Sequence, residues 1–174
     1  MIVFDTVKAG ALLLAAAVIE VSILSWLEIA DAHPELALVL LVCIALLRGP
    51  IFGACAGFWV GLVLDTASLE ALGVTSLLLT LAGYWCGRLG EVTTRASAQP
   101  PLVAVALATV GVGVGSAVLH FMLGETVPFS HFFVGVLLPA LALNLLLAYP
   151  VYRLARGLFP PPTRERRLKV SEGV

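Results

Sequence analysis

The sequence predicts an all-α, polytopic membrane protein: a bundle of six transmembrane helices. Three observations predict it. Hydrophobic residues make up 60% of the chain and charged residues 12%, and mean hydropathy is +1.06, so most side chains must face lipid or one another. The apolar residues fall into six stretches, at about 9–27, 34–47, 50–64, 73–89, 102–123 and 132–152. The gaps between them alternate in sign. Lys8, Arg48, Arg88 and Arg95, and then Arg153, Arg156, Arg164, Arg166, Arg167 and Lys169 are all ten basic residues, and they occupy every second gap. The remaining gaps hold Glu28, Asp31 and Glu35, then Asp65 and Glu70, then Glu125. The positive-inside rule therefore places both termini in the cytoplasm, after six crossings.

The first stretch follows Lys8 and precedes Ala30-Asp31-Ala32, which resembles a leader cleavage site. Its apolar core is too long for a leader and contains Glu20, so it is read as a retained helix. Glu20 is the one carboxylate well inside a predicted span. Such a group is costly in lipid unless it is protonated or paired. The sequence offers almost no titratable partners for a proton relay. Glu20 is read instead as a structural polar contact within the bundle, to Asn144 of the sixth stretch or to a backbone group.

The second stretch is short: fourteen residues make about 21 Å of helix against roughly 30 Å of hydrocarbon. The third is little longer unless it continues to Asp65. A re-entrant hairpin would leave Arg48 deep in the membrane at about 2.5–3.5 kcal/mol or more. Two short crossings joined by a tight Arg48-Gly49-Pro50 turn avoid this and are the expectation, with shielding by the longer helices.

In the third stretch a glycine recurs every fourth residue, at Gly49, Gly53, Gly57 and Gly61, and Asp65 follows at the next step. On a helix these positions form a side-chain-free stripe. Each glycine costs about 1 kcal/mol of helix propensity, which close approach of another helix can offset. Most of the stripe is expected to meet another helix of this chain, with the Gly61–Asp65 end facing a second protein. Asp65 is read either as part of an acidic collar for a basic partner segment or as the cap of the next turn. Asp31, Glu35 and Glu70 are read as solvated loop charges.

The fifth stretch carries Gly111, Gly113 and Gly115-Ser116, a second close-packing surface or a flexible kink. The sixth holds Pro139 and is expected to end near Pro150 with a bend there. Phe159-Pro160-Pro161-Pro162 then divides an integral domain, residues 1–158, from a basic tail, residues 159–174. The cations from Arg153 to Lys169 suit anionic lipid at about 1 kcal/mol each.

The segment from Pro34 to Arg88 carries a pattern: Pro34, Arg48-Gly49-Pro50, Gly53, Gly57-Phe58, Gly61-Leu62, Asp65, Gly73, Gly83-Tyr84 and Gly87-Arg88. In this it resembles the MreD family of bacterial rod-shape-determining membrane proteins. The resemblance covers about a third of the chain. It implies a non-enzymatic scaffold of the cell-elongation machinery in the bacterial cytoplasmic membrane, supporting cell shape and peptidoglycan synthesis. The implied partners are MreC, a bitopic membrane protein, the MreB filament, and RodA with its penicillin-binding partner. It also implies a fold like that of the substrate-binding subunits of energy-coupling-factor transporters. Pairing of two such chains stays open.

Catalytic groupings are missing from the sequence: there is no HExxH, no Gly-rich loop followed by Lys, and no outward Ser/His/Asp set. No cofactor and no nucleic-acid partner is expected. His120 and His131, eleven apart without Cys or acids at ligand spacing, make a poor metal site. Cys43, Cys55 and Cys86 read as small apolar fillers. The aromatic residues Trp26, Trp85, Tyr84, Tyr149 and Tyr152 fit membrane interfaces, while Trp59 is placed deeper, between helices. The rival function is a membrane solute-binding or transport subunit for a small or lipidic ligand. Its difficulty is the scarcity of polar residues inside the spans.

Overall fold

The computed structural model describes residues 2–23, 35–68, 72–92, 99–124 and 136–158. Among them are six helices: α1 (Ile2–Ile23), α2 (Leu36–Arg48), α3 (Pro50–Ser68), α4 (Val74–Val92), α5 (Gln99–Met122) and α6 (Leu138–Leu158). By length and composition α3, α5 and α6 are each able to cross a membrane. Pro34, Glu70, Arg95, His131 and the tail cations Arg164, Arg166, Arg167 and Lys169 lie outside the described residues.

The short helix α2 is the axis of the bundle. Its thirteen residues are almost uniformly apolar, and ten of them, from Ala37 to Leu47, are buried. It packs against all five other helices. A helix that is apolar all round belongs inside a protein. Shielded in this way, α2 has no lipid boundary to match, and about 20 Å of length suffices.

Gly49 turns the chain from α2 directly into α3. Its φ of 98° and ψ of 177° lie in a region essentially reserved for glycine, and its N–H closes α2 on the Ala45 carbonyl at 2.8 Å. Pro50 then opens α3 at the first helical position, where its missing N–H costs nothing. Gly49 is thus a corner, and the packing stripe proper begins at Gly53.

The expectation of a short third helix is corrected. α3 has nineteen residues, about 28 Å, because it runs through Asp65 instead of stopping there. α6 likewise continues through Pro150 to Leu158; proline removes one backbone hydrogen bond, and the helix resumes beyond it. Pro100 and Pro101 fall in the first turn of α5, and Pro139 in that of α6, where proline is tolerated.

Candidate functional site

The tightest contact in the fold is the seam between α3 and α4, which have more to do with each other than any other helix pair. Three members of the sequence ladder point into it. A Cβ on Gly53 would collide with the Gly83 carbonyl, one on Gly57 with the Leu79 carbonyl, and one on Gly61 with the Ser76 backbone. The reverse holds from α4: Gly83 faces the Gly53 carbonyl, Gly87 faces Pro50, and Gly90 faces Leu46 of α2. Backbones this close exchange Cα–H···O contacts worth about 0.5–1 kcal/mol each, which helps offset the propensity lost to glycine. Gly87 and Gly90 were not singled out as packing residues. The signal was present, since Gly83 and Gly87 have the same four-residue spacing as the ladder.

At the far end of the seam Asp65 is 1% exposed. Its carboxylate accepts the N–H groups of Gly73 at 2.8 Å, Thr75 at 3.1 Å and Ser76 at 3.2 Å. These are the otherwise orphaned donors at the start of α4, so Asp65 caps that helix from a neighbouring one. Ser76 adds a bond from its hydroxyl to the Phe58 carbonyl at 3.0 Å. The acidic-collar reading of Asp65 is overturned, because its oxygens already serve α4. Gly61 and Asp65 are themselves buried, so a partner at this end of α3 would have to meet other residues.

A second polar cluster satisfies the start of α2. The Glu35 N–H donates to Asn144 Oδ1 at 3.0 Å, and the Ala37 N–H donates to Glu20 Oε2 at 2.7 Å. Asn144 Nδ2 donates to Thr109 Oγ1 at 3.1 Å and to Glu35 Oε2 at 3.3 Å. Thr109 sits near the middle of α5 and Asn144 two turns into α6, so α2 starts well inside the bundle. Glu20 meets a backbone group, one of its two expected partners, and Asn144 serves the same helix end. Glu35 is corrected from a solvated loop charge to a member of this cluster.

The outward surface is apolar and aromatic. Trp59 is 65% exposed, so it does not pack between helices as expected; with Phe58 it forms an edge-on pair, centroids 5.9 Å apart. Tyr84 and Trp85 form a similar pair on α4. Two apolar grooves indent this surface. One, of about 410 Å³, lies between α1 and α3, lined among others by Gly10, Cys55 and Trp59. The other, of about 480 Å³, lies between α4 and α5. Cys43 and Cys86 are buried, whereas Cys55 is exposed. Arg48 is half-buried at the end of α2, and Arg153 and Arg156 are exposed on the last turns of α6. Arg153 lies over the Tyr149 ring, 5.8 Å from its centroid. No cluster of three metal-ligating side chains occurs among the described residues.

Membrane-length helices, apolar on the outside and joined by glycine on the inside, make this a helical membrane protein. Its family can be stated as well. Residues 4–159, most of the chain, match the family described as rod shape-determining protein MreD, and the chain belongs to that family. Membership carries a role in rod shape determination. No curated protein and no solved structure matches it.

Proposed function

We propose that the chain is a six-span, non-enzymatic scaffold of the bacterial cell-elongation complex. In this reading both termini are cytoplasmic, and the protein holds the single transmembrane helix of an MreC-like partner. MreB-like, RodA-like and penicillin-binding components assemble around that pair. The family match carries the proposal, and the complete segregation of Lys and Arg supports the orientation.

The internal use of Gly53, Gly57 and Gly61 moves the partner surface elsewhere. The α1–α3 groove is the proposed alternative. Gly10 has nothing within 4 Å of where a Cβ would stand, so a helix can approach α1 closely there. The solute-binding rival loses support, because Glu20, Thr80, Thr109, Ser116 and Asn144 are all hydrogen-bonded within the chain.

Co-purification with an MreC-like protein in detergent, with cross-linking through Cys55, tests the reading. Gly10→Leu places a side chain in the groove, its Cβ in open space, and should abolish capture while leaving thermal stability intact. Full capture by a folded Gly10→Leu variant would place the partner on another face.

A further inference from the structure

We propose that the α4–α5 groove is a binding site for one anionic phospholipid, its acyl chain in the groove and its phosphate at Arg88. The groove runs along α4 from Leu78 to Leu89. That is eleven residues, about 16 Å of helix, or half of a roughly 30 Å hydrocarbon core. A single leaflet's acyl chain has that reach. Gly111 lines it from α5, with open space where a Cβ would stand.

The two grooves differ at their mouths. Arg88 follows Leu81 by seven residues and Trp85 by three, so it stands at the edge of the groove-lining face of α4, beside Leu89 at the groove's end. Its side chain is 58% exposed and pairs with Glu91 at 3.3 Å. An exposed pair of this kind is weak, and a guanidinium has donors left for a phosphate. Trp85, 64% exposed on the groove wall, makes no hydrogen bond with any described residue. An indole one turn inside a cation suits the headgroup boundary of a lipid. In the α1–α3 groove the nearest basic residue on α1, Lys8, is two residues from Gly10 and so points to the opposite side of its helix. That groove therefore lacks this charge complement on α1, and the lipid is assigned to α4–α5.

The site rests on the membrane placement of the bundle and not on the partner reading, so it is tested on the isolated 174-residue chain. Replacing Trp26 and Trp59 with phenylalanine leaves Trp85 as the sole tryptophan. The protein is reconstituted in vesicles mixing phosphatidylglycerol and phosphatidylcholine of identical chains, with bromine on one lipid or the other as a fluorescence quencher. Brominated phosphatidylglycerol should be enriched at Trp85 about fivefold over brominated phosphatidylcholine, the size expected of one cation against anionic lipid. Arg88→Gln should bring the two lipids to parity, and Arg88→Lys should keep the preference. Gly111→Leu, whose Cβ has open space in the groove, should reduce quenching by both lipids. Equal quenching in the parent protein, or a preference that survives Arg88→Gln, would overturn the site. Undiminished quenching in Gly111→Leu would overturn the groove as its location, and displacement of both lipids by an added transmembrane peptide would reassign it to a protein partner.

Discussion

The same substitution, Gly→Ala, should have opposite effects at two places in this bundle. At Gly57 the added methyl would meet the Leu79 carbonyl, with the carbonyl carbon at 2.6 Å and the Thr80 nitrogen at 3.0 Å, where ordinary contact begins at 3.4 Å. The obstacle is backbone, so no side chain can swing away, and α3 must separate from α4 by most of an ångström. Overpacking of this kind costs about 1–3 kcal/mol, with the upper part of that range expected against a rigid neighbour. The gain of about 1 kcal/mol in helix propensity offsets part of it, leaving a net loss of about 1–2 kcal/mol. At Gly111 nothing lies within 4 Å, and the propensity gain stands alone. The two variants should differ by about 2–3 kcal/mol, or roughly 5–10 °C in Tm for a chain of this size. Thermal unfolding in one detergent, followed by far-ultraviolet circular dichroism, reads the difference. If Gly57→Ala melts with or above the parent, the α3–α4 seam is not the close backbone contact described here.

Asp65→Ala removes the acceptor for three N–H groups at the start of α4, and a loss of about 1–3 kcal/mol is expected in the same melt; Asp65→Asn should recover part of it. Asn144→Leu keeps the volume but strands the Glu35 N–H and the Thr109 hydroxyl, and should cost a similar amount. A melt unchanged by that substitution would show that Asn144 does not support α2. Gly49→Ala has open space, with Glu91 Oε1 nearest at 3.8 Å, yet should destabilise by about 1–3 kcal/mol through its backbone conformation alone. Together, Gly49→Ala and Gly57→Ala separate strain in the corner from collision in the seam.

Much of this arrangement was legible in the chain. The apolar stretches locate α2 to α5 closely, whereas α1 begins well before its stretch and α6 is displaced toward the C-terminus, and the ladder identifies the helix that packs most closely. What composition could not convey was how a charge is used. Asp65 marks the end of an apolar run, and a hydropathy reading stops α3 there. In the fold its carboxylate is surrounded by three N–H donors, so the helix passes through it. Glu35 is misread for the same reason, because the Asn144 that engages it lies 109 residues away. A periodic stripe can be recognised locally, whereas a cap provided by another helix depends on the tertiary fold. The brevity of α2 was visible, but its meaning was not. The fourteen residues, apolar but for Glu35, read as a short crossing, and that five helices surround α2 is visible only in the fold.

That central position also bears on how the molecule can meet others. With α2 largely enclosed and the Gly53–Gly57–Gly61 stripe closed on α4, the residues most conspicuous in the sequence are committed to holding the bundle together. The surfaces left for partners and lipids are shallow grooves of Leu, Val, Cys and Trp, which in a membrane protein carry no distinctive pattern. Substitutions in the ladder should therefore abolish assembly by unfolding the protein, and so say little about where a partner sits. Gly10 and Gly111 are the informative positions, because each lines a groove and has open space where a Cβ would stand. Loss of one interaction in a variant that melts normally would be evidence about an interface, whereas the same loss at Gly57 would not.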